Sequence, residues 1–583
     1  MRPLLGLLWK RVSLFCINQS LRELSGTGYF DTDRRPGDPL AKAISGRVVT
    51  EAPMDLPALN QIRTWIKECD PTHDTCSSKT KDSTNLPTRV LAVGQPGCQT
   101  VRLVETGGKR GAYLALSHCW GKARNLTTTT VTLELRKKGI HLADLPATIQ
   151  DAVLVTRELG FAYIWIDTLC ILQDSLEDWK VEAAKMADVY SNAYLTITAS
   201  SSDGDEKGFL WPRQKQSRVC LPNIDSRKPP FFLQHLTKQH MTKPLRDDMS
   251  EEPLTNRGWC IQERYLSRRS LFFCHDQLRW ECRRLTASEC GTSSSQIDFR
   301  INNLYGTALS DNAYKDAAGK DSMGGDLRYK GWYDLVAKYM GCSLTYQSDK
   351  LPAIGGLAKA LAAISKDEYY AGLWGESIVT GLLWSRSTLR LLEGQDPYRA
   401  PSWSWASVAG EIEFSLLALS DRYRIRHYND LWESVVPSVQ LNGEDAYGAV
   451  RGGQITITAP LYNVQKFIPG QSSRPKNGRQ AVFAIDGSLL AIPCVIDTVE
   501  EPGLDAHVTI LFLAYRNLTS NPGTNKIRSE RAYLSRPWND YFGLVLRAVE
   551  KGADEVREVW TRIGMVNGYA SLGGKEEVDD KNR

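Results

Sequence analysis

The stretch AYLALSHCWG at residues 112–121 decides the fold of this chain. An apolar run is followed by polar residues and a glycine, which is typical of a buried strand that delivers side chains to a loop. Two further strands of the same kind are predicted, AYIWID at 162–167 and AYLTITAS at 193–200. All three run into polar residues, so each strand should carry functional groups at its carboxyl end.

Helical patterns separate these strands. Apolar residues recur at helical spacing between a proline near the start and a glycine stop over 146–160, and a second helix is predicted over 177–190. Alternating strands and helices predict an α/β unit with a largely parallel sheet. Ligands usually lie beyond the carboxyl ends of such strands, where we expect the loops at 117–121, 167–174 and 199–205 to converge.

The chain has 583 residues, which is too long for one compact core and predicts several domains. Composition and periodicity change along it at recognisable points. The predicted order is a loosely ordered leader at 1–60, an N-terminal α/β segment at 61–110, the central α/β domain at 111–300, a helical continuation at 301–410, a β-rich domain at 411–572 and a disordered tail at 573–583.

The composition excludes several classes of protein. The 72 basic and 67 acidic residues nearly balance, so nucleic acid is not an expected partner. No apolar run is long enough to span a membrane, and the apolar N-terminus is interrupted by Lys10 and Arg11. Thirteen scattered cysteines, an odd number, suit reduced thiols better than a disulfide framework. We therefore expect a soluble, cytoplasmic protein.

Glu182 is the most informative single residue. On a helix over 177–190 it falls on the same side as Met186 and Val189, which puts a carboxylate on an apolar face. Burial would raise its pKa unless a cation pairs with it. Two hypotheses follow, a tuned catalytic acid or a structural ion pair with Arg257 or Arg264.

Other polar and aromatic residues near the strand ends are candidates for lining a pocket. Neighbours on a strand point to opposite faces, so adjacent Ser117 and His118 are not a ready-made nucleophile and base. An aspartate at a strand end can bind a ribose hydroxyl or merely cap the next element, and a tryptophan can simply pack in the core. The candidates are Ser117, His118, Trp120, Asp167, Cys170, Asp174 and Trp179.

Cys69, His73 and Cys76 form a CxxxHxxC pattern that invites a zinc hypothesis, since thiolate and imidazole suit a tetrahedral site. No fourth ligand is apparent nearby in the sequence, although Cys98 could supply one in space. Cys274, Cys282 and Cys290 recur at a spacing that fits no familiar zinc motif, and we interpret them as core and loop thiols. The sequence-based expectation is no metal and no required cofactor.

Three segments carry a family resemblance. The stretches YLALSHCWG at 113–121, the block at 145–200 that contains AYIWID and AYLTITAS, and NRGWCIQERYLSRRSLFF at 256–273 resemble the heterokaryon-incompatibility (HET) domain of fungi. Cys260 and Ile261 depart from the Thr-Leu that is more usual there. With flanking segments such as LPTRVLAVG, the resemblance covers about 62 to 570, and it identifies 111–300 as the HET domain.

The resemblance implies fungal allorecognition, a form of innate immunity in which incompatible alleles trigger growth arrest or programmed cell death. It also implies a remote, TIR-like fold, and some TIR domains cleave NAD with a glutamate that follows a tryptophan on its helix, as Glu182 follows Trp179. Protein partners or self-association are therefore expected. A nucleotide hydrolase with NAD as substrate, a NAD glycohydrolase, is one alternative, and a non-catalytic scaffold is another. Fold analogy alone is weak support for either.

Overall fold

The computed structural model of the chain contains two compact units, Met1–Arg300 and Ile301–Arg583. Backbone and side chains are described at 49–73, 76, 84–121, 126–213, 249, 251–291, 329–386, 398–414, 434–459, 544 and 546. The backbone alone is described at 28–34, 46–47, 218–221, 231–237, 293–295, 462–469, 479–485, 488–496, 508–517, 560–569, 571–572 and the rest of 539–548. Residues 1–27 of the predicted leader and the predicted tail at 573–583 lie outside the described residues.

The first unit combines six α-helices and fourteen strands within the described residues. The helices are α1 (Leu56–Thr72), α2 (Leu133–Lys138), α3 (Ala147–Glu158), α4 (Asp167–Cys170), α5 (Leu176–Asn192) and α6 (Gly258–Leu266). The strands are β1 (Gly28–Arg34), β2 (Gly46–Arg47), β3 (Arg89–Ala92), β4 (Thr100–Glu105), β5 (Leu114–Ser117), β6 (Ile140–His141), β7 (Tyr163–Trp165), β8 (Leu195–Thr198), β9 (Arg218–Leu221), β10 (Phe231–Thr237), β11 (Arg269–Phe273), β12 (Leu278–Cys282), β13 (Leu285–Ser288) and β14 (Ser293–Ser295).

A ten-stranded sheet in the order β14-β13-β12-β11-β8-β5-β7-β3-β4-β6 forms the centre of this unit. The four strands β11, β8, β5 and β7 are parallel to one another, as the alternation of strands and helices predicted. The outer strands pair antiparallel, β12 to β14 on one side and β3, β4 and β6 on the other. The α/β prediction is confirmed. The sheet is mixed rather than largely parallel, because antiparallel strands are added on both sides of the four parallel strands.

Local sequence explains where the helices of this unit begin. Helix α3 follows Pro146, and the side chain of Ser175 caps α5 by accepting a hydrogen bond from the Asp178 N–H at 3.2 Å. Asp55 caps α1 in the same way, with its carboxylate 3.0 Å from the Ala58 nitrogen. These helices pack apolar side chains against strands whose inward residues are fully buried, such as Leu114 and Ile164.

The second unit contains three α-helices and thirteen strands within its described residues. The helices are α7 (Lys330–Met340), α8 (Pro352–Ser365) and α9 (Ile378–Leu382). The strands are β15 (Tyr369–Tyr370), β16 (Leu373–Trp374), β17 (Trp384–Arg386), β18 (Ile412–Phe414), β19 (Ser434–Leu441), β20 (Val450–Thr458), β21 (Tyr462–Pro469), β22 (Arg479–Ile485), β23 (Ser488–Ile496), β24 (Val508–Asn517), β25 (Asn539–Ala548), β26 (Trp560–Tyr569) and β27 (Ser571–Leu572).

Antiparallel pairing dominates the second unit. Its largest sheet has seven strands in the order β22-β21-β24-β25-β26-β23-β27, and β22 also pairs with β23. Before this sheet, Trp332 and Trp405 are fully buried and both donate to the carbonyl of Gly372, at 3.1 and 3.0 Å. Across the described residues of both units, no helix has the length and apolar character that crossing a bilayer requires.

Two loops meet closely where β5 and β8 end. Gly121, which follows β5, has a φ of +77°, and a Cβ atom added there would lie 2.8 Å from the Gly204 Cα. The loop that contains Gly204 is anchored on α3, since the Thr148 N–H donates to the Asp205 carbonyl at 2.9 Å. The Asp151 carboxylate accepts from the N–H groups of Phe209 and Leu210, at 2.7 and 3.0 Å. Neither loop can therefore move away freely to accept a side chain at position 121.

We predict that Gly121→Ala lowers the thermal midpoint of unfolding more than Gly108→Ala does. Gly108 has a φ of +78° but open space around its Cα, so its variant isolates the cost of the backbone conformation, roughly 1–2 kcal/mol. Gly121→Ala adds a backbone clash to the same cost. Scanning calorimetry of the two full-length variants makes the comparison, and equal midpoints would show that the two loops are not in tight contact.

Candidate functional site

The three polar loops meet at the carboxyl ends of the parallel strands. His118 Nε2 lies 3.1 Å from Asp205 Oδ1, and His118 Nδ1 lies 3.8 Å from Asp167 Oδ1. Trp120 Nε1 donates to Asp167 Oδ2 at 2.8 Å. The three loops thus contact one another through these side chains. They meet because β5, β7 and β8 run in the same direction and their carboxyl ends lie together.

A carboxylic acid from α6 completes this group. The Ser117 hydroxyl donates a hydrogen bond to Glu263 Oε2, and both side chains are buried. Burial raises the pKa of Glu263 to about 7, an increase that the Ser117 hydrogen bond and Arg257 oppose and the charge of Asp167 reinforces. Glu263 is therefore poised to take up or release a proton near neutral pH, as a general acid or base must.

His118 is buried among charged groups. Burial lowers the pKa of its imidazole, but the carboxylates of Asp205 and Asp167 outweigh burial and raise it above its usual value. Its contact with Asp205 is an ion pair without good hydrogen-bond alignment, and within the described part of the chain both Asp205 carboxylate oxygens and His118 Nε2 lack a well-aligned partner. These atoms therefore keep hydrogen-bonding capacity that a bound molecule could use.

Arg257 and two thiols surround the same strand end. Arg257 Nη1 donates to the carbonyl oxygen of His118 at 2.6 Å, which ties the segment before α6 to the end of β5. Cys119 and Cys260 pack with Leu254 in a small apolar cluster. Burial raises the pKa of Cys119 to about 11 and that of Cys260 well above its ordinary value, so both thiols are protonated and unreactive at neutral pH.

Access to this group is uneven. The side chains of Ser117, His118, Asp205 and Glu263 are all less than a tenth exposed, whereas that of Asp167 is 20% exposed and Trp120 is half-buried. Asp167 and Trp120 therefore form the outer side of the site, hydrogen-bonded to each other, and the titratable groups lie beneath them. We call the set Ser117, His118, Asp167, Asp205 and Glu263 the strand-end cluster.

Glu182 is buried, as predicted, but its contacts are with other residues. Its Oε1 accepts from the Thr88 hydroxyl at 2.8 Å and pairs with Lys185 Nζ at 3.1 Å. The predicted pairing with Arg257 or Arg264 is wrong: Arg257 binds the His118 carbonyl, and Arg264 pairs with Glu281. The reason is local, since Lys185 is one helical turn from Glu182 on α5 and its long side chain reaches the carboxylate. The catalytic role proposed for Glu182 stays a prediction.

The remaining candidates occupy other places. Cys170 is buried at the end of α4, its sulfur accepting from the Ile166 N–H, and burial raises the pKa of this thiol to about 12. Asp174 is exposed and accepts from the Thr130 N–H and hydroxyl at 2.8 and 2.6 Å, contacts that lower its pKa. Its observed role is to hold a loop. Trp179 lies half-buried on α5.

Cys69, His73 and Cys76 also lie together, but at the other edge of the sheet. Cys98, which the sequence offered as a fourth ligand, is exposed in the turn before β4. Cys282 at the end of β12 lies against them instead, with its sulfur 3.4 Å from His73 Nδ1. The interpretation of Cys282 as an ordinary core thiol is therefore incomplete.

Sequence reasoning did not select Glu263 or Asp205. Glu263 belongs to the segment 256–273 that carries the family resemblance, and its one available signal was a carboxylate followed by the strongly apolar strand β11. Asp205 was included only as part of the polar loop at 199–205. Both residues reach the site through tertiary contacts. Glu263, for example, lies 146 positions after Ser117 in the chain.

This arrangement of strands and polar loops coincides with a known domain. Residues 113–263 match the family described as Heterokaryon incompatibility protein (HET), a segment that begins just before β5 and ends at Glu263 itself. The match includes all five residues of the strand-end cluster. No curated protein and no solved structure matches the chain significantly. The chain thus contains a heterokaryon-incompatibility (HET) domain, which lies inside the first unit.

We predict that Glu263→Gln changes how stability depends on pH. Because the pKa of folded Glu263 is about 7, above its ordinary value of 4.5, the folded state favours the protonated form. Its contribution is fully present below pH 4.5 and is lost as the pH rises through about 7. The wild type should therefore lose about 3 kcal/mol relative to Glu263→Gln between these limits.

Calorimetric scans of both full-length proteins from pH 5 to pH 8 check this prediction. Asp174→Asn is the matched control, since the pKa of the exposed Asp174 carboxyl is lowered rather than raised. Parallel pH profiles for the wild type and Glu263→Gln would rule out a raised pKa at Glu263.

Proposed function

We propose that this protein acts in fungal non-self recognition and that its HET domain signals toward growth arrest or cell death. The observation that carries the proposal is the match of residues 113–263 to the heterokaryon-incompatibility family. None of the ten cysteines that the structure describes forms a disulfide, which suits a reducing, cytoplasmic location. Activation by self-association or by a protein partner completes the proposal.

The strand-end cluster supports a specific role for the HET domain. Burying several ionisable groups is costly unless they are paired, and a buried ion pair seldom stabilises a fold more than apolar residues of the same size would. Here His118, Asp167, Asp205 and Glu263 are gathered at the edge where ligands of parallel sheets bind. Such clusters occur preferentially at functional sites. We therefore expect the signal to depend on them.

We predict that inducing the full-length chain in a filamentous fungus arrests growth and admits a vital dye. Glu263→Gln and Asp205→Asn should abolish both effects, because they remove charges of the strand-end cluster while preserving side-chain size. Asp174→Asn, which alters only an exposed loop contact, should retain them. Immunoblots establish equal protein levels. Undiminished death with Glu263→Gln and Asp205→Asn, or none with the wild type, would contradict the proposal.

A second candidate function is nucleotide hydrolysis, with cleavage of the glycosidic bond of NAD as the specific reaction. The observation that favours it is Glu263, whose pKa of about 7 and hydrogen bond to Ser117 suit proton transfer at physiological pH. Asp167, the least buried member of the cluster, and Asp205, whose carboxylate pairs with His118 but accepts no well-aligned hydrogen bond within the described residues, offer acceptors for ribose hydroxyls. The indole of Trp120 offers an adjacent flat surface.

In this reaction each group of the cluster has a defined role. The bond between ribose C1′ and the nicotinamide nitrogen breaks, and nicotinamide leaves with the electron pair. Water then adds to C1′ and gives up one proton, which ionised Glu263 can accept. Negative charge from Asp167 and Asp205 stabilises the positive charge that develops on the ribose. Glu182 is an alternative acid near the same strand ends, because it contacts Thr88, the residue before β3, and β3 runs antiparallel to β7.

We predict that the purified full-length protein at high concentration releases nicotinamide from NAD, measured by chromatography. Loss of the base in Glu263→Gln should slow release roughly 10²–10⁴-fold, and the wild-type rate should rise with pH through about 7 as Glu263 ionises. Asp174→Asn is the control, and circular dichroism establishes that each variant is folded.

Glu182→Gln separates the two candidate acids. If Glu182→Gln alone loses activity, the reaction belongs to the Glu182 and Thr88 contact rather than to the strand-end cluster. If the wild type releases no nicotinamide at concentrations that allow self-association, the hydrolase hypothesis is wrong and the scaffold hypothesis is favoured.

A further inference from the structure

Four potential metal ligands converge at the edge of the sheet opposite the strand-end cluster. Cys69 lies on α1, His73 follows that helix directly, and Cys76 is three residues further on. Cys282 is the last residue of β12, paired with Arg269 at the start of β11. The three sulfur atoms and one ring nitrogen of His73 all lie within 4.8 Å of one another. We propose that Cys69, His73, Cys76 and Cys282 bind one structural zinc ion.

The distances fit tetrahedral coordination. Zinc binds thiolate at about 2.3 Å and imidazole at about 2.0–2.1 Å, so the ligand atoms of one tetrahedron are about 3.6–3.8 Å apart. Cys282 Sγ and His73 Nδ1 are 3.4 Å apart. Three sulfurs with one imidazole is one of the standard ligand sets of structural zinc sites, and soft thiolates select zinc over hard cations such as Mg²⁺.

The local backbone prepares three of the ligands. Cys69 and His73 are four residues apart at the end of α1, so their side chains leave the same face one turn apart. The His73 N–H donates to the Cys69 carbonyl at 3.2 Å, and the Cys76 N–H donates to the His73 carbonyl at 2.8 Å. These two bonds turn the chain back on itself, which brings the third ligand beside the first two.

A buried arginine supplies the outer shell. Arg269 Nε donates to Cys69 Sγ at 3.3 Å, and Arg269 Nη2 donates to the Cys76 carbonyl at 3.0 Å. Its guanidinium also pairs with Asp70 and lies 4.7 Å from the centre of the Tyr194 ring. Three thiolates and a divalent cation leave one net negative charge, which the adjacent guanidinium offsets. Metal ligands are commonly oriented by such second contacts.

The burial of the three thiols favours metal binding over a disulfide or over thiols without a ligand. Cys69, Cys76 and Cys282 are each no more than 3% exposed, and none of the three forms a disulfide. A single disulfide would join two of them and leave a third thiol against a half-buried imidazole. Zinc uses all four groups at once. It also leaves no coordination position open, so the ion has a structural rather than a catalytic role.

The zinc site would connect two segments of the chain that lie outside the family match. Helix α1 precedes residues 113–263 and β12 follows them, and 209 positions separate His73 from Cys282. The zinc ion would therefore link both flanks of the HET domain at the amino ends of its parallel strands. This inference is independent of the proposed function, since the strand-end cluster lies at the carboxyl ends.

The test begins with the wild-type full-length chain, purified with a non-chelating reductant and analysed for metals by mass spectrometry. We expect one zinc ion per chain, released in proportion when a mercurial reagent titrates the thiols. Replacement by Co²⁺ should give the visible absorption of tetrahedral coordination with a thiolate-to-cobalt charge-transfer band. Iron or copper in place of zinc, a metal-free chain, or a disulfide among the three cysteines would overturn the proposal.

Variants then identify the ligands. Cys282→Ser and His73→Ala should weaken zinc binding by more than the roughly 10–100-fold typical of losing an outer-shell partner. His73→Cys, which restores a soft ligand, should retain the ion. Cys98→Ser is the matched control, because Cys98 is exposed and is not among the four. Zinc retained by Cys282→Ser or lost from Cys98→Ser would refute this ligand set, and if the ligand variants do not fold, the cobalt spectrum of the wild type decides.

Discussion

The parallel pairing of β5 with both β7 and β8 is the constraint on which the rest of the first unit depends. Ser117 is in register with Thr198 and Leu114 with Ile164, so the three strands end at one edge. The loops that follow the three strands therefore lie close together. Because Gly121 has no side chain, its loop can contact the loop that contains Gly204. From this single geometric fact follow the contacts of His118 with Asp167 and Asp205 and the place that Glu263 occupies.

The two polar clusters of this unit manage buried charge in different ways. At the carboxyl edge, acids and an imidazole share a confined space, and the result is a carboxyl group that titrates near neutrality. At the amino edge, thiols and an imidazole face a fully buried guanidinium that is itself paired with Asp70. The first arrangement keeps proton affinity adjustable, which suits chemistry or switching. The second buries its three thiols and the guanidinium beside them, which suits a fixed architectural joint.

Periodicity predicted the elements of the α/β core well. The helices expected over 146–160 and 177–190 are Ala147–Glu158 and Leu176–Asn192, because their apolar spacing and caps are local properties. What sequence could not supply was long-range pairing. Glu263 and Cys282 contact partners that are 146 and 209 positions away in the chain. The residues next to them in the sequence do not predict those contacts. Glu182 was recognised as buried, but its partner is the nearby Lys185 rather than a distant arginine.

The placement of β3 and β11 bears on where this domain can be cut. Strand β7 has β3 as its outer neighbour and β8 has β11, yet both neighbours fall outside residues 113–263. A fragment trimmed to the family boundaries would keep β7, β5 and β8 with bare backbone amides and carbonyls along both sides. Unpaired apolar strands of this kind pair side by side with strands of other chains, which leads to aggregation. The smallest piece that can exist in solution as a monomer is therefore considerably longer than the segment that defines the family.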